Sequence, residues 1–169
     1  MRDLLIDDAS NDRTARGTEW RLVSDQVMGG MSDGTLRTEE VAGRRARRLT
    51  GHVSLENDGG FLQMALDLEP DGEPADASDV TGIEVMLRGN GAEYNVHLRT
   101  ADVVRPWQSY RLSVPTTGEW TTHRLPFADA RAHRIDAAFD PTTLRRIGLV
   151  AIGREMEADL ALARLAFYV

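Results

Sequence analysis

The chain has 169 residues, a formal net charge of −7, 41% hydrophobic and 28% charged residues, no cysteine and no lysine: all 20 basic residues are arginine. Without Cys there is no disulfide, thiolate nucleophile or Cys-based zinc or iron–sulfur site. Without Lys there is no Schiff base and no P-loop lysine. The length suits one domain, expected over residues 1–169, which buries roughly 70% of its unfolded surface and needs neither disulfide nor metal for stability. The acidic balance disfavours nucleic acid and anionic lipid as main partners.

The N-terminus, Met1-Arg-Asp-Leu-Leu-Ile-Asp-Asp, offers three consecutive apolar residues before two acids, too few for a signal-peptide core. No run approaches the 18 or so apolar residues of a spanning helix. The expectation is a cytoplasmic protein without membrane insertion.

In chain order, the first dense cluster is Trp20-Arg-Leu-Val-Ser-Asp-Gln-Val-Met-Gly-Gly-Met-Ser-Asp-Gly34. Gly29 and Gly30 permit a tight turn or a close backbone approach. With no lysine and no helix pattern behind it, the cluster is no phosphate loop. Arg44-Arg45-Ala46-Arg47-Arg48 reads as a solvated face, with a docking patch for an acidic partner as the alternative. The second cluster, Gly51-His-Val-Ser-Leu-Glu-Asn-Asp-Gly-Gly-Phe61, places a turn at Gly59 and Gly60 and begins a strand at Phe61. Glu69 to Asp79 is a polar, Pro- and Asp-rich loop.

Period-two alternation governs the rest. Ile83, Val85 and Leu87 share one face of a strand that ends at Arg88, and Glu93 to Arg99 alternates strictly. Gly89-Asn90-Gly91 between them predicts a hairpin. Tyr110–Val114, Trp120–Leu125, Ile147–Ile152 and Leu165–Val169 read as further strands, and Asp140-Pro141 as the cap and first residue of one helical turn. Many short strands with regular turn signals point to a β-sandwich or barrel.

Candidate binding residues follow from this layout. Asp25 and the carboxylates Glu56 and Asp58, with Asn57 between them, lie in the Gly-rich turns, where Asp either contacts a ligand or accepts backbone N–H bonds. Asn95, His97 and Arg99 alternate outward from one strand. Arg88, beyond Glu84 and Met86, does so from its expected hairpin partner, with Tyr110 or Arg111 and His123 nearby. Tyr94 and Trp107 supply aromatic surface. One face of an antiparallel sheet is commonly solvated, so this polar face is either a binding surface or plain exterior. His52, His97, His123 and His133 lack metal-site spacing, and no serine lies in a nucleophile elbow. No metal, cofactor or catalytic constellation is expected.

Val23-Ser-Asp-x-Val-Met-Gly-Gly-x-Ser-Asp-Gly34 and Gly51-x-Val-Ser-Leu-Glu-Asn-x-Gly-Gly-Phe61 resemble the signature of the complex I intermediate-associated protein 30 family. Gly82-Ile, Leu87-Arg88-Gly89-x-Gly91 with Tyr94, Gly118-Glu-Trp120, Leu125-Pro-Phe127 and Ile147-Gly-Leu149 agree in order and spacing, so the resemblance spans about residues 20–169. It implies an all-β, mostly antiparallel jelly-roll sandwich of the galactose-binding type. It also implies a non-catalytic, chaperone-like interaction protein related to assembly factors of respiratory complex I, here a bacterial stand-alone member without a mitochondrial leader. The expected partner is a protein, respiratory complex subunits in the first place; the alternative is a small-ligand or carbohydrate-binding module.

Overall fold

A computed structural model describes residues 4–169; Met1–Asp3, the start of the N-terminal stretch assessed above, lie outside it, as does the side chain of Asp58. Among the described residues, twelve strands form two antiparallel sheets of six. In chain order they are β1 (Leu5–Asp7), β2 (Arg21–Ser24), β3 (Asp33–Val41), β4 (Arg44–Val53), β5 (Phe61–Asp67), β6 (Gly82–Arg88), β7 (Glu93–Thr100), β8 (Ser109–Pro115), β9 (Thr121–Pro126), β10 (Arg131–His133), β11 (Leu144–Ile152) and β12 (Met156–Tyr168). The first sheet runs β3-β4-β12-β6-β9 with β1 added along β12, and the second runs β10-β8-β7-β11-β5-β2. The architecture is a jelly-roll β-sandwich.

The alternation read from sequence sets the core. Ile83, Val85 and Leu87 of β6 face Tyr94, Val96 and Leu98 of β7 across the sandwich, with Leu62, Met64, Leu66, Ile147 and Leu149 beside them, all essentially buried. Each such side chain is worth roughly 1.5–3 kcal/mol of apolar transfer. In β12 the inward positions run Ala158, Leu160, Leu162 and then Leu165, Phe167. The pairing with β6 shifts register between Leu162 and Arg164, so one extra residue there resets the period. This strand is 13 residues long, much longer than the Leu165–Val169 segment expected.

The hairpin expected at Gly89-Asn90-Gly91 does not form. Strand β6 pairs with β9 and β12, whereas β7 pairs with β8 and β11. The turn therefore carries the chain from one sheet to the other, with Gly91 at φ 87°. Tyr94 holds it: its hydroxyl donates to Asn90 Oδ1 (2.8 Å) and accepts from the Asp159 backbone N–H (2.9 Å). The predicted one-turn helix is present as Pro141–Thr143, where the Asp140 carboxylate accepts from the Thr142 N–H at 3.0 Å.

The arginine run does not form one solvated face. Strand alternation exposes Arg44 but buries Arg47, and Arg48 pairs with Asp159 at 2.8 Å. Asp7 and Arg47 make a two-pronged buried ion pair, both bonds 3.0 Å, and Trp20 Nε1 donates to Asp7 Oδ2 at 2.7 Å. This cluster locks the N-terminal segment onto β4.

Candidate functional site

The two Gly-Gly clusters meet. Asp25 opens a short 3-10 turn (Asp25–Met28) and is fully buried. Its carboxylate accepts from the Ser32 N–H (2.9 Å), the Ser32 hydroxyl, the Gly60 N–H and the Phe61 N–H (3.1 Å). Ser32 Oγ in turn accepts from the Ser54 N–H at 2.9 Å. Burial pushes this carboxyl up, but the bonds from Ser32, Gly60 and Phe61 outweigh that and hold it below the usual carboxylate range. A Cβ on Gly30 or Gly59 would come within 2.5–2.6 Å of the Asp25 carboxylate, which is why both positions have no side chain. Gly29 takes φ 85° and Gly60 φ 137°. Asn57 Nδ2 adds a bond to the Gly29 carbonyl, and Glu56 projects outward, exposed.

Beside these joined loops, the outer face of the second sheet forms a groove with a cavity of about 450 Å3. The register builds its floor. Arg111, His97 and Gly148 lie opposite one another on β8, β7 and β11, and Val150 of the next row faces Gln63 of β5. The Gln63 amide lies over Gly148, where a Cβ would meet its Oε1 at 2.0 Å. Val27, Met28, Gly59 and Gly60 line one side, and Pro106, Trp107 and Gln108 also face it. Arg99 shapes the loop bearing Trp107, its guanidinium donating to the Gln108 carbonyl (3.1 Å) and the Arg105 carbonyl (3.4 Å).

Electrostatics set this groove apart. Among the described residues its lining contains Arg99, Arg111, Arg134, Arg146, His97 and His133 and no Asp or Glu. Burial pushes the His97 imidazole down to about 3, with Arg111, His133 and Arg99 adding to the shift. It is therefore neutral at physiological pH, and its Nε2 is buried without a hydrogen-bond partner among the described residues. Burial, then Arg111 and Arg134, lowers His133 as well. Cations crowd cations here, which costs folding energy unless a ligand relieves it.

His97, Arg99 and Trp107 of the sequence candidates line the groove. Asn95 shares their face one row away, between Ser113 and Val150, outside the lining. Arg88 is on the other sheet, paired opposite Ala161, on the far side of the sandwich. His123, opposite Val85, is there too. Both displacements follow from the missing hairpin. Tyr94 and Asp25 are interior and have no surface to offer a ligand. Gln63, Arg111, His133, Arg134 and Arg146 complete the lining, although the sequence singled out only Arg111 among them as a neighbour. No group of three or more His, Asp or Glu suited to a metal ion occurs among the described residues. No helix among them is long and apolar enough to cross a membrane.

The described residues thus form a jelly-roll sandwich with a groove on one sheet face. The model of the complex I intermediate-associated protein 30 family matches residues 9–163, and the chain belongs to that family. No curated protein matches in sequence. Among solved structures, a family 11 carbohydrate-binding module from Clostridium thermocellum, in complex with a β-1,3-1,4-mixed-linked tetrasaccharide, is similar at 15% identity and TM-score 0.74, over 98% of this chain and 95% of that one. A family 30 carbohydrate-binding module is similar at 15% identity and TM-score 0.63, over 88% of this chain and 82% of its own. The agarase AgWH50C is similar at 14% identity and TM-score 0.60, over 96% of this chain and 26% of its own. At these identities the likeness is one of fold.

Proposed function

We propose that the chain is a non-catalytic interaction protein, an assembly-factor-like module that seats a segment of a partner protein in the groove of its second sheet. Subunits of a respiratory complex are the first partners to test, as the family suggests. The observation that carries this reading is the apolar character of the loops tied together by Asp25. Val27, Met28, Met31 and Leu55 on these loops are 74, 53, 54 and 49% exposed. Large aliphatic and thioether side chains left in water on adjoining loops mark a protein contact, and Met adapts its shape to a partner.

The second reading, a carbohydrate ligand, is favoured by Trp107, 53% exposed beside the groove, and by the sugar-bound structural neighbour. A sugar platform rests on aromatic faces, however, and the lining offers only Trp107 and the half-buried Phe61.

Replacing Val27 and Met28 together by Ser tests the choice. Truncating central apolar anchors costs more than about 1 kcal/mol each, so at least a tenfold loss in recovery of complex subunits from cross-linked cells is expected, with the melting temperature retained. Unchanged recovery overturns the proposal. Binding of the mixed-linked tetrasaccharide with no subunit recovered selects the carbohydrate reading instead.

A further inference from the structure

Resting on that reading, we propose that the segment the groove takes is acidic, its carboxylates seated by Arg99, Arg111 and Arg134 beside His97. The chain as a whole carries 27 acids against 20 arginines, yet among the described residues the groove lining holds four arginines and no acid. Elsewhere some arginines meet a carboxylate, while others, Arg37, Arg44 and Arg88 of the first sheet among them, stand singly without an ion pair among the described residues. On the first sheet Glu84 pairs with both Arg124 (3.0 Å) and Arg164 (3.1 Å), and Asp159 pairs with Arg48. In the groove only Arg146 has such a partner among the described residues, Asp67 at 2.7 Å. Arg99 spends its guanidinium on two backbone carbonyls and Arg111 donates Nε to the Ser109 hydroxyl, so neither meets a carboxylate among the described residues.

Like charges gathered on a partly desolvated floor repel one another, and a carboxylate entering between them relieves that repulsion while accepting charge-assisted hydrogen bonds. His97 Nε2, buried and unpartnered, is a further polar atom at the same floor. The apolar rim and the cationic floor together select a chain that alternates acidic with apolar side chains, rather than a neutral sugar or a free small anion.

The test titrates the intact protein, followed by the indole signal of Trp107, with a 12-residue Glu-rich peptide carrying two Leu, with its Gln-for-Glu counterpart, with sodium glutamate and with the mixed-linked tetrasaccharide. The Glu peptide is expected to bind at least tenfold more tightly than the Gln peptide and to weaken as salt rises. Arg111→Gln with Arg134→Gln, one site half-buried and the other exposed, should erase the preference without lowering the melting temperature. Equal binding of both peptides overturns the acidic assignment and leaves the protein-docking reading standing. Glutamate bound as tightly as the Glu peptide overturns the assignment in favour of a small-anion pocket. Binding of the tetrasaccharide alone, or of none of the four, overturns both.

Discussion

Asp25→Ala should cost about 3–5 kcal/mol of folding stability, the scale for removing the one charged acceptor from a buried, hydrogen-bonded set of donors. The carboxylate accepts two bonds from Ser32 of its own loop, by N–H and hydroxyl, and one each from Gly60 and Phe61 at the second Gly-Gly turn. Alanine leaves these donors facing one another in a site closed to water. Both loops then lose the carboxylate that gathers four of their donors, and the bonds of Asn57 to Gly29 and of Ser54 to Ser32 are left to hold the apolar side of the groove. Asp25→Asn keeps the shape but turns an amide donor toward donors, so it should lose nearly as much. Urea unfolding measures the loss. A change below about 1 kcal/mol for the alanine variant would show that the carboxylate is not what holds the loops.

Arg47→Ala should cost a similar 3–5 kcal/mol, because it strands Asp7, 2% exposed, without its counter-charge. The guanidinium also donates to the Thr38 hydroxyl (2.7 Å) and the Asn11 carbonyl (2.6 Å), so its loss frees the segment before β2 from β4. Arg44→Ala, three residues away and exposed, should change stability by less than about 0.5 kcal/mol. The contrast, read by thermal unfolding, separates a structural cation from a solvated one within a single run of arginines. Equal effects at both positions would contradict the buried pair.

Much of the fold was legible in residue periodicity. Strands β6, β7 and β8 follow from alternating side chains, because a sheet with one face in the core buries every second residue, and β11 follows from the buried run Ile147–Ile152. Which sheet each strand joins was not legible. Asn90-Gly91 carries the local chemistry of a hairpin, but Asn90 is held by Tyr94 and by the Glu157 carbonyl, which lies 67 residues away. Such pairings are set by the global packing of the sandwich, and no local signal announces them.

The candidate site was legible to the same depth. His97 and Arg99 stand outward on a strand the alternation defined, and both face the groove. Gln63, Arg134 and Arg146 come from β5, the turn after β10 and β11, and are brought beside His97 only by the strand order of the second sheet. Arg88 and Tyr94 were grouped with them through the expected hairpin, and leave the site with it. The Gly-Gly motifs carried a further signal: Gly30 and Gly59 mark where a buried carboxylate needs room, so the motif points to Asp25 as a pin and only indirectly to the groove beside it.

The central claim is that this protein meets its partner through the outer face of the second sheet and not through the first. A photo-crosslinking amino acid in place of Trp107 places a probe at the groove, and the same amino acid in place of Arg88 places one on the opposite face. On irradiation in cells, the probe at position 107 should trap a partner protein and the probe at position 88 should not. Trapping at position 88 with none at position 107 would contradict the account.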